Sequence, residues 1–442
     1  MFVITMQESL KVKFLLNEPG YNEGAGPGCA AEYLLAQSDG LFHVQFDVFG
    51  PYQLDCHAKN TDISGNNHGH TEIQLATAQF FEANPDIDYA PYDWDGDGEV
   101  EQFLYICAGP GANEGHAYFI WPNTVQNVNL IEGTPDGYGI NQVSITPEAT
   151  YTTKSHKGAS GFGTFMHEYS HTLGLTDVYP TSGENVNTIY SVADTWDLMD
   201  GGNFVNYGWC PPNYTAFEKI YMHWLTPVEL DSDTTITDMK PVSDGGKAYL
   251  IRHTENEYLL LENRQQTGWD YGAPGKGLTI WHVDFDQNAW LRNRVNNGPL
   301  RLDLYHADNM TFKDWQNLTT TTGTSVIALS PRMRFRWLST SPYPWSTDST
   351  TWVNDELSEE STPALEMNNP NAQGSYSLGK RITHIQMAAD GSISFALETD
   401  GNIPSRINET DATDQSVRKV LKNGVLYIIR DGKTYSIFGS EM

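Results

Sequence analysis

Two histidines four residues apart constrain this chain more than any other feature. His167 and His171 lie in GFGTFMHEYSHTLGLTDVY, residues 161 to 179. On a helix that spacing sets both imidazoles on one face, one turn apart, close enough to grip a single Zn²⁺. Phe162, Phe165, Met166, Leu173 and Leu175 surround the pair, so the pattern predicts a buried helix over 163–175, with glycines before it and Gly174 as its stop. Two imidazoles buried on an apolar helix need a partner. Glu168, next to His167, is placed to take a proton from a water activated at the metal and to return it to a leaving amine.

The third ligand is read in two ways. Gly174 comes three residues after His171, where the chain must turn sharply, and Asp177 comes three later, so spacing favours Asp177. The rival is Glu218, in TAFEKIYMHW, as a ligand or as a partner that orients one of the imidazoles. Met199, in TWDLMDGG, is a candidate for a methionine-containing turn beneath the metal, against the plainer reading of a core methionine. Tyr207 and Tyr214 are candidate donors to an oxyanion.

A second cluster, Asp93-x-Asp95-Gly-Asp97-Gly-Glu99-x-Glu101, alternates carboxylates with glycines. Side chains at the first, third and fifth positions can converge on a hard cation, and Gly98 falls at the sixth position, where a Ca²⁺ loop turns. The twelfth position is Leu104, so this is not a complete EF-hand. The expectation is a structural Ca²⁺ site, with Glu99 offering its carbonyl and Glu101 its side chain.

Charge and cysteine usage narrow the class. With 56 acidic and 26 basic residues the net charge is −30, which argues against nucleic acid as a partner. Cys29, Cys56, Cys107 and Cys210 form no C-x-x-C pair, which disfavours a thiolate zinc site. They allow three connectivities if oxidised, or stand as free buried thiols. No apolar stretch is long enough to span a membrane. The chain opens on a strand-like run, Met1 to Met6, without a leader pattern, and the expectation is that a natural N-terminal segment precedes it.

Texture divides the chain in three. Residues 1–228 mix turns with helical patterns: Ala30 to Ala36, Gln74 to Ala83 with Leu75, Ala78 and Phe80 or Phe81 on one face, the helix carrying His167, and Tyr214 to Trp224. Gln102 to Cys107 reads as a buried strand. Residues 229–400 carry strand-like runs, Ala248 to Arg252, Tyr258 to Glu262, Leu278 to Val283, Ser325 to Leu329 and Ser392 to Leu397, with long polar loops between 300 and 375, which reads as a β-sandwich. Residues 401–442 are a polar linker and a short hairpin turning at Asp431-Gly432.

The pattern H-E-x-x-H-x-x-G-x-x-D is similar to extended zincin signatures, with Asp where a third His is often found. Beyond it, LLAQSDGLFHVQFDVFGPY (34 to 52), DWDGDGEVEQFLYICAG (93 to 109), WDLMDGG with CPPNYTAFEKIYMHWLTPVEL (196 to 230), and YLLLENRQQTGWD with GKGLTIWHVD (258 to 284) resemble segments of the immune inhibitor A-type family of secreted bacterial metallopeptidases. The resemblance covers about residues 30 to 290. It implies an α+β zincin-like catalytic domain followed by β-sandwich domains, and an exported or cell-surface zinc endopeptidase made with a pro-segment. Its substrates would be proteins or peptides. The tail from Val417 is similar to short C-terminal segments of exported proteins of Bacteroidetes-type bacteria. Two departures stand out: Pro122-Asn123 sits where relatives often show a His, and Thr172 replaces an Asp that some carry. The competing expectation is a non-catalytic adhesion or glycan-binding protein with a relic zincin domain, motivated by Trp337, Trp345 and Trp352 as stacking platforms. A zinc hydrolase of another bond, an amidase or deacetylase, is chemically open as well.

Overall fold

The run FLYIC is apolar at every position, which marks a strand covered on both faces. It begins a central strand in the computed structural model, which describes residues 2–5, 9–21, 26–56, 68–114, 119–126, 130–153, 156–183, 185, 191–311, 314, 331–347, 353–399, 418–422, 425–430 and 433–435. The chain is mixed α/β, with several sheets and few helices, and no sheet among the described residues closes into a barrel. It divides into two compact units. The first comprises Met1–Asp177, Ala193–Glu218 and Gln266–Ala273, and the second comprises Val178–Val192, Lys219–Gln265 and Pro274–Met442.

In the first unit, β1 (Phe2–Thr5), α1 (Ser9–Asn17), α2 (Ala30–Gln37), β2 (Asp47–Phe49) and α3 (His70–Ala83) come first. Then follow β3 (Glu99–Val100), β4 (Phe103–Pro110), β5 (Asn123–Gln126), β6 (Gly139–Ile140), β7 (Gln142–Thr153), β8 (His156–Ala159), α4 (Gly163–Thr172) and the start of α5 (Ala216–Tyr221), whose residues from Lys219 on belong to the second unit. The main sheet runs β2-β1-β4-β7-β5, with β8 also on β7. The first four strands are parallel, and the edge strand β5 runs antiparallel to β7. Phe103, Tyr105 and Cys107 of β4 share a core with Ile73, Ala76 and Phe80 of α3. The intervening Leu104 and Ile106 are buried as well and, by strand alternation, face the other side.

The face α3 buries is not the expected one. Ile73, Ala76, Thr77 and Phe80 point inward, while Leu75 and Ala78 are exposed. Thr77 takes an inner position because its hydroxyl bonds the Tyr105 phenol at 2.6 Å, so hydrophobicity alone misplaced the stripe. The helix also begins earlier than Gln74, at His70. The helix expected over Tyr214 to Trp224 shortens to α5.

Helix α4 packs on β7 and β5, with Phe165 and Tyr169 edge-on to Phe46. Its start is pressed against the backbone of the irregular turn Gly202–Gly208: a Cβ on Gly163 would stand 2.1 Å from the Asn203 carbonyl oxygen. Its end is set by Gly174 at φ +89°, the left-handed conformation that favours glycine.

The second unit contains β9 (Val228–Glu229), β10 (Thr234–Met239), β11 (Tyr249–Arg252), β12 (Glu257–Arg264), β13 (Gly277–Asp284), α6 (Gln287–Leu291) and β14 (Leu302–Leu304). After these come α7 (Pro331–Leu338), β15 (Trp345–Ser346), β16 (Val353–Asn354), β17 (Lys380–Met387), β18 (Ile393–Thr399), β19 (Arg418–Lys422), β20 (Val425–Arg430) and β21 (Lys433–Tyr435). A five-stranded sheet, β14-β13-β12-β11-β9, and a three-stranded one, β10-β18-β17, share a core of Ile251, Leu259, Leu261 and Ile280 with Ile382, Ile393, Phe395 and Leu397. Every residue of β12 and β13 is buried. Their polar side chains are paired: Glu262 accepts from Trp281 Nε1 and Arg264 Nη1, and Glu257 pairs with His282 at 2.7 Å.

The 300–375 stretch is not all loop, since it holds α7. Trp337 on that helix is 3% exposed and stacks on His306 at 4.5 Å, so it offers no platform for a sugar. Trp345 is half-buried. Trp352, the strand expected at Ser325 to Leu329, the linker and the turn at Asp431-Gly432 lie outside the described residues. The tail is a three-stranded meander, β19-β20-β21, rather than a two-stranded hairpin. All four cysteines are free thiols, three of them buried. No described helix is long and apolar enough to cross a membrane.

Because the Gly163 contact is with rigid backbone, Gly163→Ala is expected to cost about 2–3 kcal/mol by forcing α4 off its seat. Urea unfolding measures this, and a loss under about 0.5 kcal/mol would contradict the packing argument.

Candidate metal centre

Helix α4 presents His167 and His171 one turn apart, with ring centroids 5.0 Å from each other. After the turn at Gly174 the chain brings back Asp177, whose Oδ1 lies 3.1 Å from His167 Nε2 and 3.5 Å from His171 Nε2. Two tetrahedral ligands about 2.1 Å from one ion stand about 3.4 Å apart, and these distances bracket that value.

The outer face of each ring fixes its tautomer. His167 Nδ1 lies 2.9 Å from the Leu198 carbonyl, and His171 Nδ1 lies 2.9 Å from that of Leu175. A carbonyl only accepts, so both Nδ1 atoms carry the proton and donate, and each neutral ring turns its Nε2 lone pair inward. Two lone pairs and a carboxylate oxygen thus meet in a pocket where His167 and Asp177 are each 5% exposed. Acceptors crowded together away from water need a cation or a proton between them. The donor set, two imidazole nitrogens and a carboxylate, fits Zn²⁺.

In the metal-free protein that role falls to protons. Burial lowers the pKa of His171, but the Asp177 charge and hydrogen bond, helped by Glu168, outweigh it and lift it from 6.5 to about 9. His167 is raised as well, its desolvation outweighed by Asp177. Burial pushes the Asp177 carboxyl up, yet His171 and His167 hold it far below the ordinary carboxylate range.

Glu168 is 5% exposed. Its Oε2 accepts from the Thr124 hydroxyl at 2.9 Å. Its pKa is raised, burial outweighing the neighbouring imidazoles and the Thr124 bond.

Glu218 does not join this cluster. Its Oε2 accepts from the Thr215 amide at 2.6 Å, while Thr215 Oγ1 accepts from the Glu218 amide at 3.3 Å. This reciprocal capping box closes the start of α5. The pattern T-x-x-E at 215–218 was the signal for it. Glu218 also hydrogen-bonds Asp197, whose carboxyl is raised well above the usual range, first by burial and then by the Glu218 charge. Asp197 Oδ1 in turn accepts from the Met199 amide at 2.7 Å. Met199 is fully buried, next to the Leu198 whose carbonyl orients His167.

Tyr214, one of the tyrosines singled out, is engaged inside the fold. Its phenol is 1% exposed and bonded to Ser170 Oγ, and burial raises its pKa. Tyr207 is partly exposed and left-handed at φ +57°. Its carbonyl accepts from the Gly161 amide at 3.0 Å, which fastens the turn to the approach of α4.

In the acidic loop, carboxylate oxygens of Asp93, Asp95 and Glu101 lie within 4.8 Å of one another. Asp97 and Glu99 are not part of that group. Asp97 Oδ1 accepts from the Glu99 amide at 2.8 Å. Asp93 takes the amides of Gly96, Asp97 and Gly98, a wrap that needs Gly98 at φ +88°.

Sequence reasoning missed Thr124, Ser144 and Gln102, which lead to Glu168 from the sheet. They lie 44, 24 and 66 positions before it in the chain, and no local motif ties them to it. No protein-family model matches the chain, and no curated protein is significantly similar to it.

A cation entering the cluster must displace the proton that His171 holds below about pH 9. Calorimetric zinc titration of metal-free protein near pH 7.5, in buffers of different ionisation heat, is expected to release roughly one proton or more per ion. Apparent affinity should rise with pH until it passes the His171 value. Binding heats independent of buffer would contradict this.

Proposed function

We propose that the chain is a zinc-dependent endopeptidase, exported or displayed at the cell surface, whose centre is His167, His171, Asp177 and Glu168. The single observation that carries the reading is the inward convergence of two tautomer-locked imidazoles and one carboxylate beside a second, separately held carboxylate. His167 Nε2, His171 Nε2 and an Asp177 oxygen would hold the ion. When bound, Zn²⁺ supplies Lewis acidity, lowering the pKa of a water and polarising a carbonyl.

The remaining chemistry belongs to the chain. Glu168 accepts the proton that water gives up as its oxygen attacks the peptide carbon, and passes it to the amide nitrogen as the C–N bond breaks. The raised pKa of Glu168 suits a group that must both take and give a proton. Leu198 and Leu175 keep the imidazoles aimed. The edge strand β5 runs beside α4, and an extended peptide can pair with such an edge, which favours a peptide over another acyl substrate.

On this reading the first unit is a zincin-like catalytic domain and the two-sheet core of the second is a β-sandwich. The resemblance to immune inhibitor A-type peptidases points the same way. The acidic loop is read as a structural Ca²⁺ site held by Asp93, Asp95 and Glu101. The adhesion alternative loses one of its platforms with the burial of Trp337.

Glu168→Gln keeps an acceptor for Thr124 but cannot take a proton. Casein hydrolysis is expected to fall about 10²–10⁴-fold with zinc content unchanged, and chelation should abolish wild-type turnover until zinc is restored. Undiminished activity in the variant would sink the mechanism.

For the loop, Ca²⁺ at about 10 mM should stabilise the chain by about 2 kcal/mol if its affinity is that of extracellular modules. Asp93→Asn with Asp95→Asn should remove the effect in thermal unfolding, and an identical Ca²⁺ response in that variant would rule the site out.

A further inference from the structure

Behind Glu168 runs a line of polar side chains that the sheet does not need. Thr124 on β5 and Ser144 on β7 are directly paired across the strands, and their hydroxyls are 2.7 Å apart. The Gln102 amide nitrogen, just before β4, donates to Ser144 Oγ. Gln102 and Ser144 are both fully buried. Buried polar groups are costly unless they are bonded, and a paired valine would serve strand geometry as well. The line ends at the catalytic carboxylate, with Thr124 Oγ1 2.9 Å from Glu168 Oε2 and 2.8 Å from the Glu168 carbonyl.

Donor arithmetic sets its direction. An ionised carboxylate only accepts, so Thr124 must give its one hydroxyl proton to Glu168. Its own lone pair then receives the Ser144 proton, and Ser144 receives an N–H from Gln102. Each member is oriented by the one behind it, and the last by a side chain without a rotating proton of its own to choose. That one Thr124 proton is shared between Glu168 Oε2 and the Glu168 carbonyl, so a single hydroxyl ties both the side chain and the backbone of Glu168 to β5.

We propose that Thr124 is the positioning residue for Glu168, and that the Gln102–Ser144–Thr124 chain holds the carboxylate where it can receive the proton of the attacking water. This rests on the peptidase reading above. The Thr124 side chain touches no substrate in this role. It acts by denying Glu168 the other orientations open to a flexible side chain, so its loss should appear in turnover rather than in substrate binding.

The test compares the wild type with Thr124→Val, Thr124→Ser and Ser144→Ala, all zinc-loaded, on a fluorogenic peptide, with metal content measured on each. Valine keeps the shape and β-branching of threonine, so β5 should hold. Thr124→Val is expected to lower kcat roughly 10- to 100-fold, the loss of a hydrogen bond to a charged group, with KM within about twofold and zinc unchanged. Thr124→Ser should recover to within about threefold of wild type, and Ser144→Ala should fall between the two. Crystal structures of wild type and Thr124→Val supply a readout apart from activity: the Glu168 carboxylate should leave its wild-type position. A wild-type kcat in Thr124→Val, a loss expressed in KM or in zinc content, or a Thr124→Ser no better than the valine variant would each overturn the inference. Should the wild type cleave no peptide, the peptidase reading falls. The crystallographic comparison then decides alone: an unmoved carboxylate refutes the positioning role and a displaced one upholds it.

Discussion

Three hydrogen-bond acceptors are pressed together in a nearly dry pocket, and much of the first unit is arranged to keep them there. Two imidazole nitrogens and an Asp177 oxygen sit 3.1 and 3.5 Å apart, with both Nδ1 protons already committed to carbonyls. Such a cluster is unfavourable by itself and becomes favourable only around positive charge. The raised imidazoles and the depressed Asp177 express the same demand in protons. A divalent ion would meet it better, since one small charge can satisfy all three acceptors at once.

Holding that arrangement takes support from several directions. Glycine at 163 lets α4 lie directly on the backbone of the turn at 202–208, so the helix that carries both histidines has little freedom to slide. The turn at Leu198 is stiffened from beneath, because Asp197 binds the Met199 amide and shares a buried acid pair with Glu218. Glu218 is itself locked by the capping box of α5. The candidate third ligand of the sequence reading thus acts two steps from the centre: it steadies Asp197, which steadies the turn whose Leu198 carbonyl orients His167. From the sheet side, Thr124 reaches Glu168. The centre is therefore braced by elements that are far apart in sequence and adjacent in space.

Much of the local structure was legible because it is periodic. The i, i+4 spacing placed His167 and His171 on one face, Gly174 marked the turn, and the apolar runs at 103–107, 259–261 and 278–283 fell within strands. What periodicity cannot see is a polar group buried for a partner elsewhere. Thr77 points inward because Tyr105 is there, which rotated the buried face of α3. Tyr214 is spent on Ser170. Glu218 looked like a ligand because its helix is apolar, and only the reciprocal bonds with Thr215 show where its charge goes. Asp97 fits the alternation of a cation loop, but its carboxylate lies outside the group formed by Asp93, Asp95 and Glu101 and accepts from the Glu99 amide. The partners of Glu168 were invisible for a related reason: pairing of β5 with β7 joins Thr124 to Ser144, and strand pairing is a long-range fact that no local pattern carries.

Everything in this centre turns on which atoms surround one ion. Diffraction from zinc-soaked crystals at wavelengths on either side of the zinc absorption edge locates that ion directly. One strong anomalous peak is expected within about 2.0–2.2 Å of His167 Nε2, His171 Nε2 and an Asp177 oxygen, with a coordination position left open beside Glu168. An empty cluster at full zinc occupancy elsewhere, or a peak whose open position is closed by a fourth protein side chain, would contradict it.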